Sequence, residues 1–214
     1  MSRNHRYPLS ALLLLAALGT ACSSDECGPI ERDDPDPFLP RTSAENLLLN
    51  LKQAYNDREL AEYDSLLADE FTFVYKPDES TIEEYLDVTQ ELGIHAHIFG
   101  TQYVQELSVD FEIGSPTVDA GQTAPGDTVW TVLMTGVHLM LLGTTPDHPT
   151  VTESLELIDA TQQFWFKKTG WTDPSSGLPI LALVRWEDLG STAGESNSRG
   201  SAPLTWGGIK DMFK

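Results

Sequence analysis

Near residue 70 the apolar period of the chain changes from 3.6 to 2, and this switch limits the fold more than any other feature. Before it, Leu47, Leu48, Leu51, Ala54 and Tyr55 recur at helical spacing. They follow Thr42-Ser43-Ala44-Glu45, a capping box whose hydroxyl and carboxylate can satisfy the free amides of a helix start. The spacing predicts a helix over 43–56. Asn56-Asp57 interrupts it, and Asp57 can cap a second helix in which Leu60, Tyr63, Leu66 and Leu67 share a face up to about Ala68. Phe71, Phe73 and Tyr75 then alternate with Thr72 and Val74, the pattern of a strand. A second capping box, Ser80-Thr81-Ile82-Glu83, predicts a third helix carrying Ile82, Tyr85, Leu86 and Thr89 and stopping at Gly93.

Four long strands are expected after Gly100. Leu107, Val109, Phe111 and Ile113 alternate with Glu106, Ser108, Asp110 and Glu112, so one face of that strand is wet. Residues 128–142 are apolar on both faces, with Gly136 a site for a bulge or bend. Residues 151–168 change phase between Leu157 and Phe164, which places a bulge near Asp159-Ala160. Residues 178–187 close the series. Helix, helix, strand, helix and four meandering strands is an α+β order, with helices on one face of a curved, mostly antiparallel sheet. No βαβ alternation and no Gly-rich phosphate loop occurs, which excludes a doubly wound nucleotide-binding sheet.

The start of the chain is of a different kind. Arg3 and Arg6 precede an apolar run from Leu9 to Leu18 broken only by Ser10, the form of a signal peptide over 1–21. That run is about half of the ~20 residues that cross a bilayer. Gly19-Thr20-Ala21-Cys22 resembles the bacterial lipobox, with Leu18 one position ahead of the usual Leu. The resemblance implies acylation of Cys22 (a palmitate-type modification), cleavage before it and, from Ser23 in the next position, an outer-membrane lipoprotein, leaflet unresolved. The alternative is ordinary cleavage that leaves Cys22 and Cys27 as thiols. Residues 22–40, rich in Pro and acids, form a tether too polar to order itself by burial.

The formal charge of −20 opposes binding to the phosphates of nucleic acids and excludes that class of partner. The stretch from residue 41 onward contains no Cys, so it holds neither a thiolate nucleophile nor a zinc-thiolate site. A domain is expected over 41–189 and a tail over 190–214. In that tail a polar stretch precedes Trp206, Ile209 and Phe213, residues spaced to dock on the domain or to serve as a recognition peptide.

The order of elements, with Ala54-Tyr55-Asn56-Asp57-Arg58, Tyr63, Leu66-Leu67 and Phe71-Thr72-Phe73, resembles the nuclear-transport-factor-two-like superfamily, including its SnoaL-like members. The resemblance implies a cone-shaped sheet packed by the N-terminal helices. It also implies a pocket inside the cone, where the enzymes of that superfamily use an acid, a His or a Tyr to move a proton.

The polar residues that could line such a pocket are few. One face of the strand over 128–142 reads Trp130, Val132, Met134, Gly136, His138 and Met140, with His138 its only titratable member. Asp159 and Gln163 are the polar residues of the next strand that could face inward, and Tyr63 and Tyr75 fall where pocket aromatics lie in the superfamily. Each has a structural alternative: a hydrogen-bonded core histidine, a solvated carboxylate, a core aromatic. His95-x-His97 offers two imidazoles on an extended segment without a third ligand, and Asp110 and Asp147-His148 read as solvated. No G-x-S-x-G elbow occurs. Neither a metal nor a cofactor is implied. The expected protein is a membrane-anchored binding domain for a small apolar ligand or a protein, with a homodimer through the open sheet face as a further possibility. The alternative is an isomerase, cyclase or dehydratase built on a pocket His with a Tyr or an acid.

Overall fold

Ser43 opens the first helix, accepting the Asn46 amide at 3.1 Å, and α1 runs Ala44–Asp57 with Leu47, Leu48, Leu51, Ala54 and Tyr55 on its buried face. The computed structural model describes residues 38–76, 82–100, 102–121, 128–146, 149–191 and 205–214. The signal, lipobox, Cys22, Cys27, most of the tether, Ser80-Thr81 and Asp147-His148 lie outside the described residues, as does most of the polar stretch of the tail.

Arg58 adopts the left-handed conformation (φ 59°) that ends α1, and its guanidinium donates to the carbonyls of Val104 and Gln105 at 2.7 and 2.8 Å. The Asn56 side chain accepts the Val109 amide at 2.8 Å and donates to its carbonyl. Two residues of the turn that carries the family resemblance thus fasten the helices to the sheet. Helix α2 (Leu60–Leu66) leads directly into β1 (Leu67–Tyr75).

Residues 82–99 depart from expectation. Glu84–Asp87 pair with β1 as a short strand, β2, and helix α3 begins only at Val88 and continues to Phe99. The capping box is that of Asp87 and Gln90. Ile82, ahead of β2, and Tyr85, on that edge strand opposite Val74, are both exposed. Gly93 does not stop α3: burial of Glu91, Ile94, His95, Ile98 and Phe99 on one stripe outweighs the ~1 kcal/mol that a mid-helix glycine costs.

The sheet continues with β3 (Val104–Ile113), β4 (Thr117–Val118), β5 (Val129–Gly143), β6 (Glu153–Thr172) and β7 (Pro179–Ser191), in the order β2-β1-β7-β6-β5-β3 with β4 beside β5. All pairs are antiparallel except β1 with β7. The result is α+β: a curved, unclosed sheet with the helices on its inner face. Two bulges set its faces. Gly136 (φ 58°) interrupts β5 and Asp159 (φ 52°) interrupts β6, and the β5–β6 register shifts on either side of Val137. A final helix, α4 (Trp206–Asp211), is capped by the Thr205 hydroxyl and buries Trp206, Ile209, Lys210 and Phe213 against the inner layer. Among the described residues no helix is long and apolar enough to cross a membrane.

Candidate functional site

The bulge at Gly136 decides where His138 goes. Before the bulge the even positions Val132 and Met134 are buried and Leu133 is exposed; after it the odd positions Val137, Leu139 and Leu141 are buried instead. His138 therefore lies on the outer face, its side chain 52 % exposed, with Nε2 2.9 Å from a Glu156 carboxylate oxygen. The expectation that it lines the cone is corrected, because a one-residue insertion in a strand of period 2 exchanges its faces. The second bulge does the same for its neighbours. Asp159 is exposed, and Gln163 lies half-buried on the outer face, donating to the Thr131 hydroxyl at 2.9 Å. The inward amide is Gln162, which donates to Asp188 at 2.8 Å and accepts the Trp186 indole N–H at 2.6 Å. Trp130 is half-buried beside the start of α1, under the Lys168 ammonium and outside the central cluster. Asp110 pairs with Lys52 at the surface.

Tyr75 is buried and its hydroxyl joins a rim network, lying within reach of Glu84 (2.8 Å) and Asp211 (2.7 Å), to one of which it donates its single hydrogen, and accepting from Lys214 (2.6 Å). Burial, aided by the two carboxylates, pushes its phenol well up. Tyr63 alone of the expected pocket residues reaches the centre of the cone, where it meets Tyr55 and His95 together with Glu91, a residue the spacing did not single out.

Glu91 and His95, one turn apart on α3, lie fully buried between α1, α2 and α4. The Tyr63 hydroxyl donates to Glu91 Oε1 at 2.5 Å, and Lys210 Nζ of α4 donates to the same oxygen at 2.5 Å. His95 Nδ1 donates to the Glu91 carbonyl at 2.8 Å, which fixes the tautomer and leaves Nε2 to accept from the Tyr55 hydroxyl. The Tyr63 ring stacks on His95 at 4.2 Å. Burial would raise the Glu91 carboxyl, but the Lys210 ammonium and the other donors hold it below its ordinary value. Burial takes His95 down to about 4 and Lys210 down to about 8, Glu91 opposing both shifts. Burial raises Tyr55 and Tyr63 far up, Glu91 adding to each. At neutral pH the cluster is thus a carboxylate, an ammonium, a neutral imidazole and two neutral phenols.

Little space remains beside it. A void of about 10 Å³ lies among Leu51, Tyr55, Val109, Phe111, Met134, Val137, Trp186 and Trp206, which is the protein's own side chains filling the cone. His95 and His97 are on α3 rather than on an extended segment, and they point apart: His95 inward, His97 outward with Nδ1 donating to the Phe213 carbonyl. The sequence does contain a signal for Glu91 and His95, since they fall on the stripe of Ile94 and Ile98 where a polar pair is out of place. Lys210 has none, because only docking of α4 buries it.

No protein-family model and no curated protein matches the sequence. Solved structures do. A conserved protein from Planctomyces limnophilus is similar at 11 % identity and a TM-score of 0.46, over 67 % of this chain and 90 % of that one. An NTF2-like protein of unknown function in nutrient uptake from Rhodospirillum rubrum is similar at 14 % identity and a TM-score of 0.41, over 68 % and 95 %. A nuclear transport factor 2 (NTF2-like) superfamily protein from Salmonella enterica is similar at 11 % identity and a TM-score of 0.41, over 71 % and 91 %.

Proposed function

We propose that this chain is a bacterial envelope lipoprotein, acylated at Cys22, whose domain works by non-catalytic binding of a protein partner at its outer surface. The observation that carries the binding reading is the state of the interior. Among the described residues Tyr55, Tyr63, Glu91, His95 and Lys210 form the central titratable cluster of the cone; all five are buried and bonded within the cluster, and buried Asp188 is held by Gln162 and the Gly207 amide. A general acid or base must reach a substrate atom within hydrogen-bond distance. With a void of about 10 Å³, smaller than a substrate, none of these groups does. The anchor is supported by the cationic start, the short apolar run and Cys22 itself, and more than one acyl chain gives stable attachment.

Growth with labelled palmitate tests the anchor: label incorporates into the wild-type chain and is lost in Cys22→Ser, which also leaves the membrane fraction. Label retained by Cys22→Ser removes the anchor from the proposal. A second reading, an enzyme of the isomerase, cyclase or dehydratase type, draws on the meeting of His95 with Tyr55, Tyr63 and Glu91, and requires α4 to leave the cone. NMR titration of the His95 ring separates the two. A ring that stays neutral down to about pH 5 fits the closed binding domain; a ring that titrates near its ordinary value, 6.5, fits a cone open to solvent.

A further inference from the structure

Lys210 stands among groups that would recognise its ammonium on any carrier. Nζ lies 2.5 Å from Glu91 Oε1, 3.3 Å from the centre of the Phe73 ring and 4.3 Å from that of Trp186. A carboxylate with aromatic faces around it is the chemistry of ammonium recognition. The close approach to Phe73 suits a primary ammonium, since methyl groups on the nitrogen would hold it further from the ring. The match to lysine is incomplete: Glu91 Oε2 is fully buried with no hydrogen-bond partner, although the ammonium carries three N–H groups. Helix α4 has six residues, too few to be stable by itself, so it persists only through its docked contacts.

We propose that the interior of the cone is a primary-ammonium site that the chain occupies with its own Lys210, and that takes a linear alkylammonium ligand when the Lys210 side chain is absent from it. This goes beyond binding at the outer surface and assigns a ligand class to the interior. Its failure would leave acylation at Cys22, read by palmitate labelling, untouched.

The full-length Lys210→Ala variant removes the atoms of n-propylammonium and leaves Glu91 without its cation. Added n-propylammonium chloride should raise the melting temperature of this variant by about 3 °C more than equal sodium chloride does, an effect of tenfold saturation on a domain of this size. Wild type should show no such difference, nor should Lys210→Ala respond to n-propanol or tetramethylammonium. The Glu91→Gln/Lys210→Ala double variant, without the buried carboxylate, should gain nothing from the amine. If Lys210→Ala does not fold in buffer alone, the readout is its refolding from urea with and without n-propylammonium, and recovery only with the amine supports the site. An equal shift with sodium chloride, an equal response of the double variant, or failure to refold with the amine present overturns it.

Discussion

Lys210 Nζ and Glu91 Oε1 lie 2.5 Å apart across 119 residues of chain, both side chains wholly buried. The pair joins the last helix to the first turn of α3, and so links the tail electrostatically to the interior of the cone. Removing one partner of such a pair strands a charge in an apolar interior. We expect Lys210→Met and Glu91→Gln each to cost about 3–5 kcal/mol, and the double variant to recover most of that loss. Urea unfolding of the four chains measures the coupling, and additive losses would mean that the two groups do not act as a pair.

Acid should weaken the fold in a definite window. His95 has a pKa of about 4 in the folded protein against 6.5 ordinarily, so on acidification the unfolded chain takes up its proton first. The stability it supports is complete above pH 6.5 and falls as the pH drops toward 4, by about 3 kcal/mol at most. Glu91, held below its ordinary value of 4.5, adds a further loss as the pH falls through that value. Urea midpoints at pH 7, 6 and 5 should decline in wild type and lose that slope in His95→Asn; a flat wild-type profile would contradict a buried neutral imidazole.

Gly207 is where α4 meets Tyr75. A methyl group at that position would overlap the Tyr75 ring at its inner atoms, and the Gly207 amide is bound to Asp188 at 2.9 Å. Gly207→Ala should therefore displace α4 and cost about 1–3 kcal/mol. Amide exchange at Ile209 and Lys210 should accelerate first, with the sheet still protected.

His138, turned outward by the β5 bulge, and His95, buried on α3, should differ in cost. His138 pairs with Glu156 in solvent, so His138→Ala should change stability by no more than about 0.5 kcal/mol. Tyr55→Phe leaves His95 Nε2 buried without its donor and should cost about 1–3 kcal/mol. Thermal unfolding of both variants makes the comparison, and equal costs would contradict an exposed His138 beside a buried His95.

By itself the sequence determined the local structure wherever one apolar period ran unbroken. The helix behind Ser43, the switch to strand before Phe71 and the alternation from Leu107 to Ile113 all follow from spacing, because a face of constant period can be buried in only one way. It also showed that strands would bulge near Gly136 and Asp159. Only the tertiary structure decided what those bulges did. A bulge moves every later side chain to the opposite face, so His138 went out and Gln162, not Gln163, came in. Glu84–Asp87 became a strand because β1 had an open edge for it to pair with, and Gly93 stayed helical because its neighbours were buried. The central cluster was the least legible. Tyr55, Tyr63, Glu91, His95 and Lys210 lie on four helices, and a charged lysine is buried only when a distant carboxylate is there to receive it, a condition that no local pattern records.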